Sequence, residues 1–288
     1  MSIALSKNYV ANLDEVYSNA SVTSILNASP EEVRMGANAK EILIPKLSMD
    51  GLGDYSRNSG YVKGDVSLTW ETVKFDYDRG RMFEVDSMDN EETIEVAFGR
   101  LGGEFERTKV APEADAYTFA TLAGKSGISK VSAGATLSTG DAALAALVAA
   151  VSKMDEDEVP EEDRHLFITP TVLNMVKALE TYKSREILEG FASINKVPQG
   201  RFYTAIDLLD GTTSTEEIGG YKKATAGKDI NFMIVHKPAV IKFDKHTASD
   251  IITPAENQTS DGYLQKYRKY GICDVYENKV AGIYLHHK

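Results

Sequence analysis

Gly124-Lys125-Ser126 spells the end of a phosphate-binding loop, with a lysine to reach a phosphate and a hydroxyl to hold magnesium. That loop also needs an earlier glycine at position 119, where this chain has Phe119, so the cradle for the phosphates is missing. The five histidines, His165, His236, His246, His286 and His287, do not pair at the helical spacing of a zinc site, and the single cysteine, Cys273, cannot build a zinc knuckle. His286-His287 reads as a solvated strand end. Asp86, Asp89, Glu91 and Glu92 crowd carboxylates of the kind that acid–base catalysis or a hard cation requires. They fall at a predicted helix start, where the helix dipole accounts for acidic side chains without a ligand. No Gly-x-Ser-x-Gly elbow or Cys/His nucleophile arrangement is present. The residues therefore predict no catalytic, cofactor or metal site, and no enzyme.

Composition narrows the classes further. At 288 residues, 42% hydrophobic and 26% charged, the chain can bury a substantial core as one large domain or two smaller ones. Its net charge of −11 disfavours tight binding to DNA or to an anionic membrane. The densest basic stretch, Lys266, Arg268 and Lys269, alternates like one exposed strand face. Cys273 has no partner for an internal disulfide and, beside Ile272, is expected to be a buried, inert thiol. Met1 to Lys7 is too weakly apolar for a secretory signal, and the apolar run Ala142 to Val151 is about half a membrane span. A cytoplasmic protein without membrane segments is expected.

The periodicities then divide the chain. Val10, Leu13, Val16 and Tyr17, followed by Val22, Ile25 and Leu26, give an amphipathic arm with no core of its own, which must lie on the rest of the chain or on a neighbour. Glu41 to Lys46 reads as a strand, and Ser48 to Gly64 as a long loop with four glycines. Val66 to Phe75 reads as the returning strand, completing an extended hairpin that reaches outside its domain. A capping box at Asp89 to Glu92 predicts a long helix carrying Ile94, Phe98, Leu101 and Phe105, weakened at Gly102-Gly103 and kinked or restarted at Pro112. Thr139 or Asp141 caps a further helix; His165 to Ile168 is a buried strand running into Thr169-Pro170, an N-cap with proline at the first helical position. Asn231 to Val235, Ala239 to Phe243, Tyr263 to Tyr276 and Val280 to Leu285 complete the strands, and the polar stretch Gly211 to Lys228 has no clear period. Helix, strand and helix argue for an α/β layer within an α+β chain.

This order of elements resembles the major capsid proteins of tailed bacteriophages with the Hong Kong 97-type fold, over nearly the whole chain. The most telling segments are Leu13 to Tyr17 with Ser21 to Ile25, Tyr77 to Arg81 through Phe83 to Asp89, Val197 to Phe202, and Tyr270 to Tyr284. The resemblance implies an N-terminal arm over 1–40 and an extended loop over 41–86. It also implies a peripheral domain with a long spine helix over 87–128 and 255–277, and an axial α/β domain over 129–254 and 278–288. It implies a homo-oligomer of pentamers and hexamers that forms an icosahedral virion shell around DNA without sequence-specific binding. Assembly in the host cytoplasm with a separate scaffolding protein and a portal would follow. Leu13, Val16 and Tyr17 on the arm, Tyr55, Arg57, Tyr61 and Lys63 in the loop, and Arg79 and Arg81 after it are the expected assembly contacts. Some members of the family cross-link that loop through a lysine–asparagine bond. Lys63 lies in the loop, yet no matching asparagine and glutamate can be assigned, so noncovalent assembly is expected. The nearest rival is an encapsulin, a shell of similar fold that encloses an enzyme.

Overall fold

The structure is a computed structural model that describes residues 21–27, 34–35, 41–92, 101–131 and 133–288. The first element among the described residues is a 3-10 turn at Ser24–Leu26. The hairpin follows, as β1 (Arg34–Met35), β2 (Glu41–Met49) and β3 (Val66–Lys74), and then β4 (Tyr77–Asp86). Helix α1 spans Ser87–Glu92. Helix α2 (Leu101–Phe105) passes through a π-helical stretch at Glu106–Val110 and continues as α3 (Ala111–Gly124). After β5 (Ser129–Lys130) come α4 (Gly140–Glu156), β6 (Arg164–Ile168), α5 (Pro170–Lys177), α6 (Tyr182–Glu189) and β7 (Ser193–Lys196). The remaining strands are β8 (Ile206–Leu208), β9 (Tyr221–Lys223), β10 (Ile230–His236), β11 (Val240–Ile252), β12 (Gly262–Val275) and β13 (Ile283–His287).

Two larger sheets organise the body. The first has five strands in the order β5-β13-β10-β6-β7, with β10 antiparallel to both neighbours and β7 parallel to β6. Its inner strands β6, β10 and β13 are buried on both faces, as a sheet covered from both sides requires. Leu166, Ile168, Phe232, Ile234 and Tyr284 face α4 and α5, while Phe167, Met233, Val235, Ile283 and Leu285 join Phe119 and Leu122 of α3. The second sheet, β11-β12-β4, is a long antiparallel ribbon lying between α3 and the base of the hairpin.

Several local expectations change in the fold. The first helix starts at Ser87, not Asp89, because Asp86 at the end of β4 accepts the Met88 N–H at 2.9 Å and begins the turn earlier. Ile94 and Phe98 lie outside the described residues. Pro112 marks the restart of the helix: it sits in the first turn of α3, directly after the π-helical stretch. Tyr77–Asp86 and β11 both pair with β12, one along each of its edges. Lys269 lies on the opposite face from Lys266 and Arg268 and pairs with Asp244 at 3.1 Å. Thr139 caps α4 by accepting the Ala142 N–H at 3.3 Å. Thr169 precedes α5, but its hydroxyl bonds to the Asn231 carbonyl at 3.3 Å instead of capping.

His286-His287 is also not a solvated end. His286 is 2% exposed, stacks on Phe232 at 4.9 Å and meets the Asn231 side chain at 3.0 Å, because β13 runs inside the sheet between β5 and β10. Burial is the main cause holding His165, His236 and His286 below the ordinary histidine value of 6.5. The unfolded chain therefore takes up protons near that pH while the folded chain resists them, so stability is present above it and lost as pH falls toward the folded values. Thermal melts should give a lower midpoint at about pH 5.5 than at about pH 7.5. A midpoint that held or rose over that interval would contradict the burial of these rings.

Candidate assembly surfaces

The hairpin positions its side chains by strand periodicity. Leu47 stands opposite Leu68, Met49 opposite Val66 and Pro45 opposite Trp70, so Leu47, Met49, Val66, Leu68 and Trp70 share one face. All five are exposed, from 47% for Trp70 to 64% for Val66. Ser48, Ser67 and Thr69 lie on the other face. The polar face is turned to solvent in the ordinary way; the apolar face has nothing on it among the described residues. A two-stranded ribbon is marginal alone, and a contiguous apolar patch of this kind marks an interaction surface.

The hairpin root is fixed. Ile42, Ile44, Val73 and Phe75 pack on Ile241 and Ile272 of the three-stranded sheet, with Phe75 stacked on Tyr270 at 5.0 Å. Lys46 pairs with Glu277, which holds the Glu277 carboxyl below its usual range. Burial, and then the charges of Glu277 and Asp274, push Glu71 up. Lys125, the lysine of the incomplete phosphate motif, forms an ion pair with Asp274 and so has a structural role. At the far end the tip carries Tyr55 and Tyr61 with ring centroids 4.9 Å apart. A bridge between Ser56 and Gly60 shapes the turn, with Gly60 at φ +75. Tyr55, Arg57, Tyr61 and Lys63 are all exposed there.

Arg79 and Arg81 do something different. Arg79 Nε donates to Glu113 at 2.6 Å, with the Tyr77 hydroxyl on the same carboxylate at 3.3 Å, and its guanidinium also reaches the Gly220 carbonyl at 3.2 Å. Burial and the negative Glu113 push the Tyr77 hydroxyl well above its usual value. Arg81 donates to the Glu217 carbonyl at 3.0 Å. Both arginines thus tie β4 to the loop before β9. Leu13, Val16 and Tyr17 lie outside the described residues.

The strongest polar site escaped the sequence reading. Asp115, fully buried on α3, accepts from the Ser21 hydroxyl at 2.7 Å, the Val22 N–H at 3.1 Å, and the Thr23 N–H and hydroxyl at 3.1 and 2.7 Å. Arg201 reaches its other oxygen at 3.1 Å, and Lys242 donates to the Thr23 carbonyl and hydroxyl at 2.9 and 2.7 Å. Burial lowers the Lys242 ammonium and pushes the neighbouring Cys273 thiol up to about 12, so that cysteine is inert. Ser21–Ile25 and Val197–Phe202, far apart in sequence, meet at this carboxylate. The signal was present in Asp115 within an alanine-rich helical run and Lys242 within Ala239 to Phe243, where a charge interrupts apolar neighbours.

Among the described residues, no group of three or more His, Cys, Asp or Glu side chains is placed to hold a metal ion, and no helix is long and apolar enough to cross a membrane. Neither the family descriptions nor the curated proteins compared with the sequence gave a match. Solved structures do. The asymmetric unit of the bacteriophage PhiM1 mature capsid matches with a TM-score of 0.66 at 10% identity, over 98% of this chain and 91% of that one. The capsid of Myoviridae phage XM1 matches with a TM-score of 0.61 at 13% identity, over 99% of both chains. The fold is that of phage capsid proteins. A virus-like particle from Pyrococcus furiosus shares this capsid fold less closely, with a TM-score of 0.52 at 12% identity over 86% of each chain. Among the described residues, contacts within the chain hold the Ser21–Leu26 segment but do not cover the apolar hairpin face.

Proposed function

We propose that this chain is the major capsid protein of a tailed phage, assembling through pentamers and hexamers into the icosahedral head that encloses double-stranded DNA. The observation that carries the reading is the apolar hairpin face of Leu47, Met49, Val66, Leu68 and Trp70, held out on a fixed root with no cover among the described residues. Completing the burial of these half-exposed side chains on a neighbour is worth about 1 kcal/mol each. One such contact only matches the low end of the ~4–15 kcal/mol that association costs, so a stable shell needs each subunit to give and receive several contacts at once. In this reading the helix Leu101–Gly124 is the spine of the peripheral domain, and the five-stranded sheet with α4 to α6 is the axial domain. The arm and the exposed tip residues Tyr55, Arg57, Tyr61 and Lys63 make noncovalent contacts with neighbours. A separate scaffolding protein and a portal take part in assembly in the host cytoplasm.

The net charge of −11 supports a container that holds DNA without gripping it. Particles isolated from a phage-producing host should protect double-stranded DNA from nuclease with no sequence preference. Particles filled instead with one enzyme would reverse the reading in favour of an encapsulin, which the weaker archaeal likeness supports less well.

A further inference from the structure

A cleft of about 860 Å³ opens on the helix side of the second sheet, between α2 with its π-helical continuation and the loop before β9. Its floor is aromatic. Phe83 meets Phe105 edge-on at 4.8 Å, and Phe105 meets Tyr267 at 5.8 Å; Ile218 stands 90% exposed at the rim. Arg79 and Lys269 line it as well, each neutralised by a carboxylate. Arg81 and Lys109 line it without a carboxylate partner among the described residues, and the Arg81 guanidinium lies against Gly211, where a Cβ would come within 2.7 Å of it. On a protein of net charge −11, this is an apolar floor with a positive edge.

The segment described from Ser21 onward is linked to this cleft through a relay of contacts. Ser21 is bound to Asp115, Asp115 to Arg201, and the adjoining Gly200 lines the cleft while its carbonyl accepts the Tyr221 hydroxyl at 2.8 Å. Directly upstream stands Leu13-Asp14-Glu15-Val16-Tyr17, an acidic segment with three apolar side chains at helical spacing. From Ser21 back to Tyr17 the chain can span roughly 14 Å. We propose that this cleft is the docking site of the chain's own arm, with Leu13, Val16 and Tyr17 on the aromatic floor and Asp14 and Glu15 toward Arg81 and Lys109. Charge complementarity and the position of the arm's root both point to this occupant, and the arm's apolar stripe is thereby covered in a free subunit.

A double cysteine variant, Val16→Cys with Ile218→Cys, tests the proposal on the dissociated subunit under oxidised glutathione, with the buried Cys273 out of reach of exchange. The expected product is an intrachain disulfide, seen by peptide mass mapping in a chain that runs as a monomer. Adding Arg81→Glu and Lys109→Glu should lower its yield about fivefold, the scale of a few exposed charge contacts. Adding Asp14→Lys and Glu15→Lys to that chain should restore it. A melt in reductant that matches the parent establishes that each variant folds. No cross-link in a folded chain, or a disulfide formed only between chains, overturns docking in cis. Because the subunit is dissociated, either failure leaves the shell reading untouched.

Discussion

Asp115→Ala is expected to cost the subunit about 3–5 kcal/mol, the loss seen when one partner of a buried charge cluster is removed. Arg201 and Lys242 would then share a buried space with no carboxylate between them, and the donors of Ser21, Val22 and Thr23 would lose their acceptor. Denaturant titration measures the loss, and hydrogen exchange at the Val22 and Thr23 amides should accelerate before the rest of the chain opens. Asp115→Asn keeps the shape and one acceptor but not the charge, so it should fall between wild type and alanine. A cost under about 1 kcal/mol for the alanine variant would mean that the cluster contributes little.

The second large effect separates stability from assembly. Leu68→Asp with Trp70→Asp changes two exposed positions, so the isolated subunit should keep its stability within about 0.5 kcal/mol. Particle formation should be abolished, because two carboxylates would have to be buried on the neighbour. Ile44→Ala at the hairpin root should do the reverse, destabilising the subunit by about 2–5 kcal/mol through the cavity it leaves. Trp70 is the only tryptophan, so its emission should shift to the blue when wild-type subunits assemble, and stay unshifted if the hairpin face remains wet. Assembly of the double aspartate variant at wild-type yield would remove this face from the account.

The hairpin was legible in the sequence because period-two alternation from Val66 to Phe75 and the four glycines of the tip are local signals. The buried strands His165 to Ile168 and Asn231 to Val235 were legible for the same reason, as short apolar runs bounded by turn residues. Sheet membership was not. Tyr77–Asp86 follows the hairpin in the chain, yet its partner, β12, lies far along the sequence, and no local pattern encodes a pairing across that distance. His286-His287 was misread because a terminal polar pair is usually wet, whereas Asn231 and Phe232 supply the bond and the stack that bury His286. Asp115 was missed for a related reason: its partners, Ser21 to Thr23 and Arg201, come from two segments far from it in the sequence, and only the fold brings them to one carboxylate. Of the expected contact residues, Tyr55, Arg57, Tyr61 and Lys63 are exposed on the hairpin tip, while Arg79 is engaged inside its own chain.

Electron microscopy of the purified chain, alone and after mixing with a scaffolding protein from the same source, tests the central claim most directly. Closed particles are expected, with a surface that resolves into pentameric and hexameric clusters and the hairpin of each subunit lying on a neighbour through Leu68 and Trp70. Monomers under every assembly condition, or one small closed oligomer with the hairpin face still uncovered, would contradict it.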